Sequence, residues 1–182
     1  MLRIASRPGF SGSYGAAGDL LHRVLNARAQ AFGPEHPVTM TVRGNLADGT
    51  GWAGDVAGAR DLYAALLPVA ERTLGPEHPD TLTARSNLAY YTGETGDAAE
   101  ARDLYAALVS VRERVSGPEH PDTLTARSNL AYYTGEAGDA AEARNLYAAL
   151  VSVRERVSGP EHPDTLNDCG SLAYWTWEAD DS

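Results

Sequence analysis

The chain has 182 residues, enough for one ordinary domain, and its composition of 43% apolar and 22% charged residues excludes wholesale disorder. Its 15 basic residues, all Arg, face 25 acidic ones; the net charge of -10 opposes a phosphate backbone and excludes nucleic acid as a default partner. Cys169 stands alone, no stretch approaches the ~20 apolar residues of a membrane helix, and nothing resembles a signal peptide, so a cytoplasmic protein with no disulfide framework and no membrane contact is expected. The lack of lysine beside abundant Ala and Gly fits a GC-rich and therefore bacterial coding sequence.

Residues 1–12 hold Arg3 and Arg7 but no apolar run, and are expected to form a flexible N-terminal segment. Beyond them the block Gly-Pro-Glu-His-Pro occurs at Gly33–Pro37 and returns at Gly75–Pro79, Gly117–Pro121 and Gly159–Pro163, each time 42 residues on. A period of this size is the signature of stacked supersecondary units. Residues 75–116 and 117–158 differ only at Thr95 against Ala137 and Asp103 against Asn145, which points to recent duplication or design.

The period divides the chain into a half repeat 13–32, full repeats 33–74, 75–116 and 117–158, and a half repeat 159–182. In the opening half, Leu20, Leu21, Val24, Leu25 and Phe32 stand where Leu62, Tyr63, Leu66, Leu67 and Leu74 stand one period later, predicting a second-type helix (helix B) without its first (helix A). Pro68, at the register of Ser110 and Ser152, removes a backbone bond and is expected to kink its helix B.

Each full repeat reads as two antiparallel helices. Helix A is predicted to start near Pro79, because proline suits the first helical position and Asp80 complements the dipole, and to end before Gly96. Its inward stripe is Leu82, Leu88, Ala89 and Thr92, with Gly93 permitting a close crossing. Helix B is predicted to start at Asp97, whose carboxylate caps while Glu100 reaches back. Its stripe is Ala101, Leu104, Tyr105, Leu108, Val111 and Val115, until Gly117 and Pro118 end it. A lone helix pair buries too little apolar surface to offset its ordering entropy, so stability belongs to the array.

The closing half repeat matches helix A through Leu166, Leu172, Ala173 and Tyr174, but carries Trp175 and Trp177 where a polar outer face is usual. Two complementary half repeats suggest head-to-tail self-association through Leu20, Leu21 and Val24 at one end and Tyr174, Trp175 and Trp177 at the other. Trp175 and Trp177 forming a hydrophobic cap on their own helix is the competing reading.

No catalytic site is evident. Asp97 and Glu100 are accounted for by capping, Ser86 and Ser128 have no His at helical spacing, and no glycine loop resembles a phosphate cradle. His36, His78, His120 and His162 recur once per repeat, near ~20 Å apart by the ~8–10 Å spacing of packed helices, too far to share an ion at ~2 Å. They are expected to bond the start of helix A. No cofactor and no metal site is expected. Arg85 and Arg127 are expected to pair with carboxylates of a neighbouring repeat.

The run Asn87-Leu88-Ala89, Gly96-Asp97, Glu100-Ala101 and Leu104-Tyr105 resembles the tetratricopeptide repeat signature. With its lead-in it is most similar to the 42-residue repeats of kinesin light chains and related bacterial proteins. Arg85 and Thr92 depart from the pattern, where bulkier apolar or aromatic residues are usual. The resemblance implies an all-α, right-handed α-solenoid of about eight helices whose helices A line a concave, peptide-binding surface. It places Asn45, Asn87 and Asn129 at the position whose amide often bonds a peptide main chain, with Ser86, Tyr90, Ser128 and Tyr132 flanking. An amide both donates and accepts, which suits a bound backbone; a bond across to the adjacent repeat is the alternative. The expected function is a non-catalytic scaffold for a protein or peptide, with structural self-assembly as a homo-oligomer second.

Overall fold

The computed structural model describes residues 11–181, with side chains from residue 20 onward, and all regular structure among them is helical. The helices are α1 (Ser11–Phe32), α2 (Pro37–Trp52), α3 (Val56–Leu74), α4 (Pro79–Glu94), α5 (Ala98–Ser116), α6 (Pro121–Glu136), α7 (Ala140–Val157) and α8 (Pro163–Asp180). The segment 1–12 lies outside the described residues, except for 11 and 12, where α1 already begins. No helix among the described residues is long and apolar enough to cross a membrane.

The recurring pentapeptide is a stop followed by a start. Gly75 and Gly117 close α3 and α5 with φ of 101° and 96° and ψ of 155° and 157°, a region that a side chain would make prohibitive. The following histidine then caps the next helix: Nδ1 of His78, His120 and His162 accepts the backbone N–H two residues on, at 3.2 Å. His36 does the same for Val38 at 3.3 Å. Proline fills the first helical position behind each cap. Helices B begin on Asp55, Asp97 and Asp139, whose Oδ1 accepts from Gly58, Glu100 and Glu142 at 2.8, 3.0 and 3.0 Å. The expected starts and stops are those observed.

The chain forms two compact units, Met1–Ala84 and Arg85–Ser182. In the first, α2 packs between α1 and α3. In the second, α6 lies between α5 and α7, and α8 packs on α7 while also touching α6. Both are built from antiparallel neighbours of the α-solenoid class. Each helix B is pinned to its own helix A by a tyrosine hydroxyl that donates to a backbone carbonyl: Tyr63 to Gly44 (3.2 Å), Tyr105 to Ser86 (3.0 Å) and Tyr147 to Ser128 (3.1 Å). Leu124, Ala131, Ala143, Tyr147, Leu150 and Trp175 form one continuous core over α6, α7 and α8.

The core departs from the expected stripe in one respect. In α5 the buried line runs through Ala101, Tyr105, Leu108, Val109 and Arg112, turned partway round the helix so that Val115 is exposed. A charged residue stands on this line. Arg112 lies buried along its stem and meets Asp122 of the next helix A at 2.9 Å. Its counterpart Arg154 pairs with Asp164 at 3.2 Å and with buried Asp168 at 2.5 Å. The proline expected to kink its helix does not end it. α3 runs through it for the same 19 residues as α5, and Ala64 and Pro68 are both exposed, so the carbonyl that loses its partner faces water.

Candidate functional site

In the second unit, helices A come very close. A methyl carbon at Gly93 would lie 2.0 Å from Cε1 of Tyr133, and one at Gly135 would lie 2.4 Å from Cη2 of Trp175. Tyr133 Oη also donates to the Tyr90 carbonyl at 3.2 Å. This contact is the close crossing that Gly93 predicts. At one register of α4, α6 and α8, 42 residues apart, stand the exposed rings of Tyr90, Tyr132 and Tyr174.

Each exposed phenol is braced from behind by the buried ring next to it. Tyr90 meets Tyr91 edge-on at 5.1 Å, Tyr132 meets Tyr133 at 5.0 Å and Tyr174 meets Trp175 at 4.8 Å. Four residues after each phenol comes a glutamate, Glu94, Glu136 and Glu178, one helical turn along the same face. Partial burial and then Glu94 push the Tyr90 pKa above its usual value. Tyr132 rises by partial burial and the charges of Glu136 and Glu94. Tyr174 rises because it donates to Glu178. The phenols therefore stay protonated and this register is both aromatic and acidic. α2 carries the same pair in reversed order, with Asp48 at the register of Tyr90 and exposed Trp52 at that of Glu94.

Of the residues picked for peptide contact, Tyr90 and Tyr132 stand at this register. The amides of Asn87 and Asn129 lie deeper. Asn129 is half-buried and its Nδ2 donates to Tyr105 Oη at 3.2 Å, the bond across to a neighbouring repeat that was the alternative reading. Ser128 Oγ donates to Asp168 Oδ1 at 2.7 Å. Asn87 and Ser86 are half-buried, and Asn87 has its own interactions within the chain. Asn45 is exposed. Glu94, Glu136 and Glu178 are not among the residues the sequence marks for peptide contact, although each stands at a fixed spacing from its tyrosine. Arg127 pairs as expected, with Nε and Nη2 at 3.0 and 2.6 Å from Glu113 Oε1 of the preceding helix B.

The residues assigned to self-association divide. Trp175 is 5% exposed, because it occupies the register of Tyr133 and lies over Gly135, so it is core and not surface. Trp177 is 61% exposed and Tyr174 is also exposed. Beside Trp177 on α8, Leu166 is 57% exposed and Ala173 is open, whereas their counterparts Leu124 and Ala131 are sealed beneath α7 at 1% and 0%. On α1, Leu20 is exposed and Leu21 and Val24 are half-exposed, while their counterparts Tyr63 and Leu66 are buried.

The family model for the tetratricopeptide repeat matches residues 50–106 and 86–149. Among solved structures, a Podosopora anserina protein provisionally named a kinesin light chain, with nearly identical TPR-like repeats, superposes with a TM-score of 0.82. It is 26% identical, over 94% of this chain and 82% of that one. A variant of the same protein gives 0.83 at the same identity and coverage. BtubC (BKLC) from P. vanneervenii gives 0.81 at 20% identity, over 93% of this chain and 68% of that one, a likeness of fold. No curated protein sequence matches.

Proposed function

Because the chain belongs to the tetratricopeptide repeat family, a fold that supports protein interaction or assembly, we propose that it is a non-catalytic scaffold holding a partner polypeptide along the outer edge of α4, α6 and α8. The observation that carries the reading is the threefold recurrence of a braced, exposed phenol with a glutamate one turn on. Such a row suits Arg and Lys side chains, which stack on the ring for about 0.5–1 kcal/mol at exposed sites and meet the carboxylate beside it. The net charge of -10 favours the same kind of partner. Three sites in a row add through effective concentration. The test is recovery of the partner from the native host on the immobilised chain, followed by titration with Glu94→Gln plus Glu136→Gln and, separately, Tyr90→Ala plus Tyr132→Ala. Each pair is expected to weaken binding at least tenfold, and the glutamate pair also to flatten its salt dependence. Binding unchanged by both pairs removes the reading.

A second reading, homo-oligomeric assembly head to tail, draws on the open positions of α8 and α1. Leu166, Ala173 and Trp177 on α8 are exposed where Leu124 and Ala131 on α6 are covered by α7, and Leu20, Leu21 and Val24 of α1 are a helix B face only partly covered. A second copy docking α1 onto α8 would repeat the α6–α7 contact and, being heterologous, need not close. Light scattering over a concentration series should then show mass rising with concentration, and Leu166→Asp should abolish the rise. A wild-type chain that stays monomeric throughout ends this reading.

A further inference from the structure

A cavity of about 550 Å³ lies in the first unit, lined among others by Leu21, His22, Asn45, Asp48, Gly49 and Trp52. Its origin is visible in the repeat itself. In the second unit the corresponding space is filled by two stacked rings, Tyr105 and Tyr133, with centroids 5.7 Å apart and planes at 11°. The Asn129 amide donates to Tyr105 Oη there at 3.2 Å. Two periods earlier, Leu21 stands for Tyr105, Gly49 for Tyr133 and Asn45 for Asn129. Both rings are gone and the amide that served one of them remains.

Gly49 is also unlike the two glycines that make room for rings. A methyl carbon at Gly93 or Gly135 would collide with an aromatic ring, but one at Gly49 would meet only Leu21 Cδ1 at 3.5 Å, an ordinary contact. The space beside Gly49 is therefore open. Among the described residues no hydrogen bond occupies the Asn45 side chain, which is exposed, and Leu21 offers it no hydroxyl. Pockets of this size, apolar with a few convergent polar groups, bury ligands up to drug size, and the equivalent space of the second unit is filled by aromatic rings.

We infer that this cavity is a socket for the phenol ring of an unmodified tyrosine on a partner polypeptide, seated against Leu21 and Leu46 with its hydroxyl at the Asn45 amide. Asp48 stands at the same wall, already accepting from Tyr63 Oη at 2.7 Å, and Asp55 stands at the rim. These two carboxylates repel a phosphorylated tyrosine, so phosphorylation of the partner would release it. The identification of the occupant as part of a polypeptide rests on the scaffold reading above; the chemistry of the socket does not.

The test uses the full chain, isotope-labelled, and small probes followed by amide NMR. 4-Methylphenol is expected to give saturable shifts confined to residues around 20–24 and 44–55. Toluene should bind about three- to tenfold more weakly for want of the hydroxyl, and 4-methylphenyl phosphate more weakly still. Gly49→Tyr, which supplies the missing ring from within, should abolish the shifts and raise the melting temperature; Leu21→Tyr is the second variant should the first fail to fold. Absence of saturable shifts, shifts that survive a folded filling variant, or toluene binding as well as 4-methylphenol each overturns the inference. Glu94→Gln plus Glu136→Gln should leave the socket untouched, so failure here and failure of the α4, α6 and α8 edge are told apart.

Discussion

Replacing Gly93 by alanine sets two magnitudes against each other. In an exposed helix the change gains about 0.8–1 kcal/mol, because alanine is the better helix former. At Gly93 the new methyl carbon lies 2.0 Å from Tyr133 Cε1, 2.4 Å from Cζ and 2.7 Å from Oη, so the ring must leave its place. It is held there by its stack on Tyr105 and its bond to the Tyr90 carbonyl. Losing the stack costs about 0.5–1.5 kcal/mol, the hydrogen bond a similar amount, and residual overpacking about 1–3 kcal/mol. The steric side wins, and Gly93→Ala should destabilise by about 1–5 kcal/mol. Gly170→Ala is the control: its added carbon meets nothing within 4 Å, so only the helix-forming gain remains and stability should rise by about 1 kcal/mol. Urea unfolding followed by circular dichroism at low chain concentration reads both midpoints. If Gly93→Ala raises the midpoint as Gly170→Ala does, the close crossing of α4 and α6 is not real.

His120→Ala should cost about 0.5–2 kcal/mol by leaving the Asp122 N–H uncapped, and His120→Asn should recover most of it, read by the same unfolding curves. Pro68→Ser restores the backbone donor that Ser110 and Ser152 keep and should raise the melting temperature, by an amount corresponding to at most about 2–3 kcal/mol. Burial lifts the Asp168 pKa above its ordinary 3.8, against the opposing pull of Ser128 and Arg154. The folded chain then keeps that proton to higher pH than the unfolded chain, so this group makes stability fall as pH rises from about 3.8 through the raised value. Asp168→Ala, which restores the residue found at Ala84 and Ala126, should remove that part of the fall in a pH series of denaturant midpoints.

Features decided within a few residues were legible in the sequence. The caps at His120 and Asp97, the closure at Gly117 and the start at Pro121 each depend on a short stretch of chain, and each is where local chemistry puts it. What needed a neighbour was less legible. Arg112 reads as a solvated charge on any helical wheel, and becomes a core residue only because Asp122 of the following helix meets it. Trp175 and Trp177 look alike in sequence, yet the first lies over Gly135 and the second is open. The exposed tyrosines were found and their glutamates were not, since a carboxylate on a helix is the commonest solvated residue and gains meaning only beside its ring. The cavity was legible in principle, from Leu21 and Gly49 set beside Tyr105 and Tyr133, but only by comparing copies for what had been lost.

Two copies that differ at only two positions present nearly interchangeable surfaces to their neighbours. A chain written in duplicate can mate with the wrong copy while folding, skipping one or borrowing one from another molecule, at almost no loss of contact energy. Asp168, bonded to Ser128 and paired with Arg154 where those two copies have Ala84 and Ala126, and Trp175, where they have Tyr91 and Tyr133, are the labels that tell the last joint from the one before it. Erasing both would leave the final joints without an address, and slow, heterogeneous refolding would be the symptom.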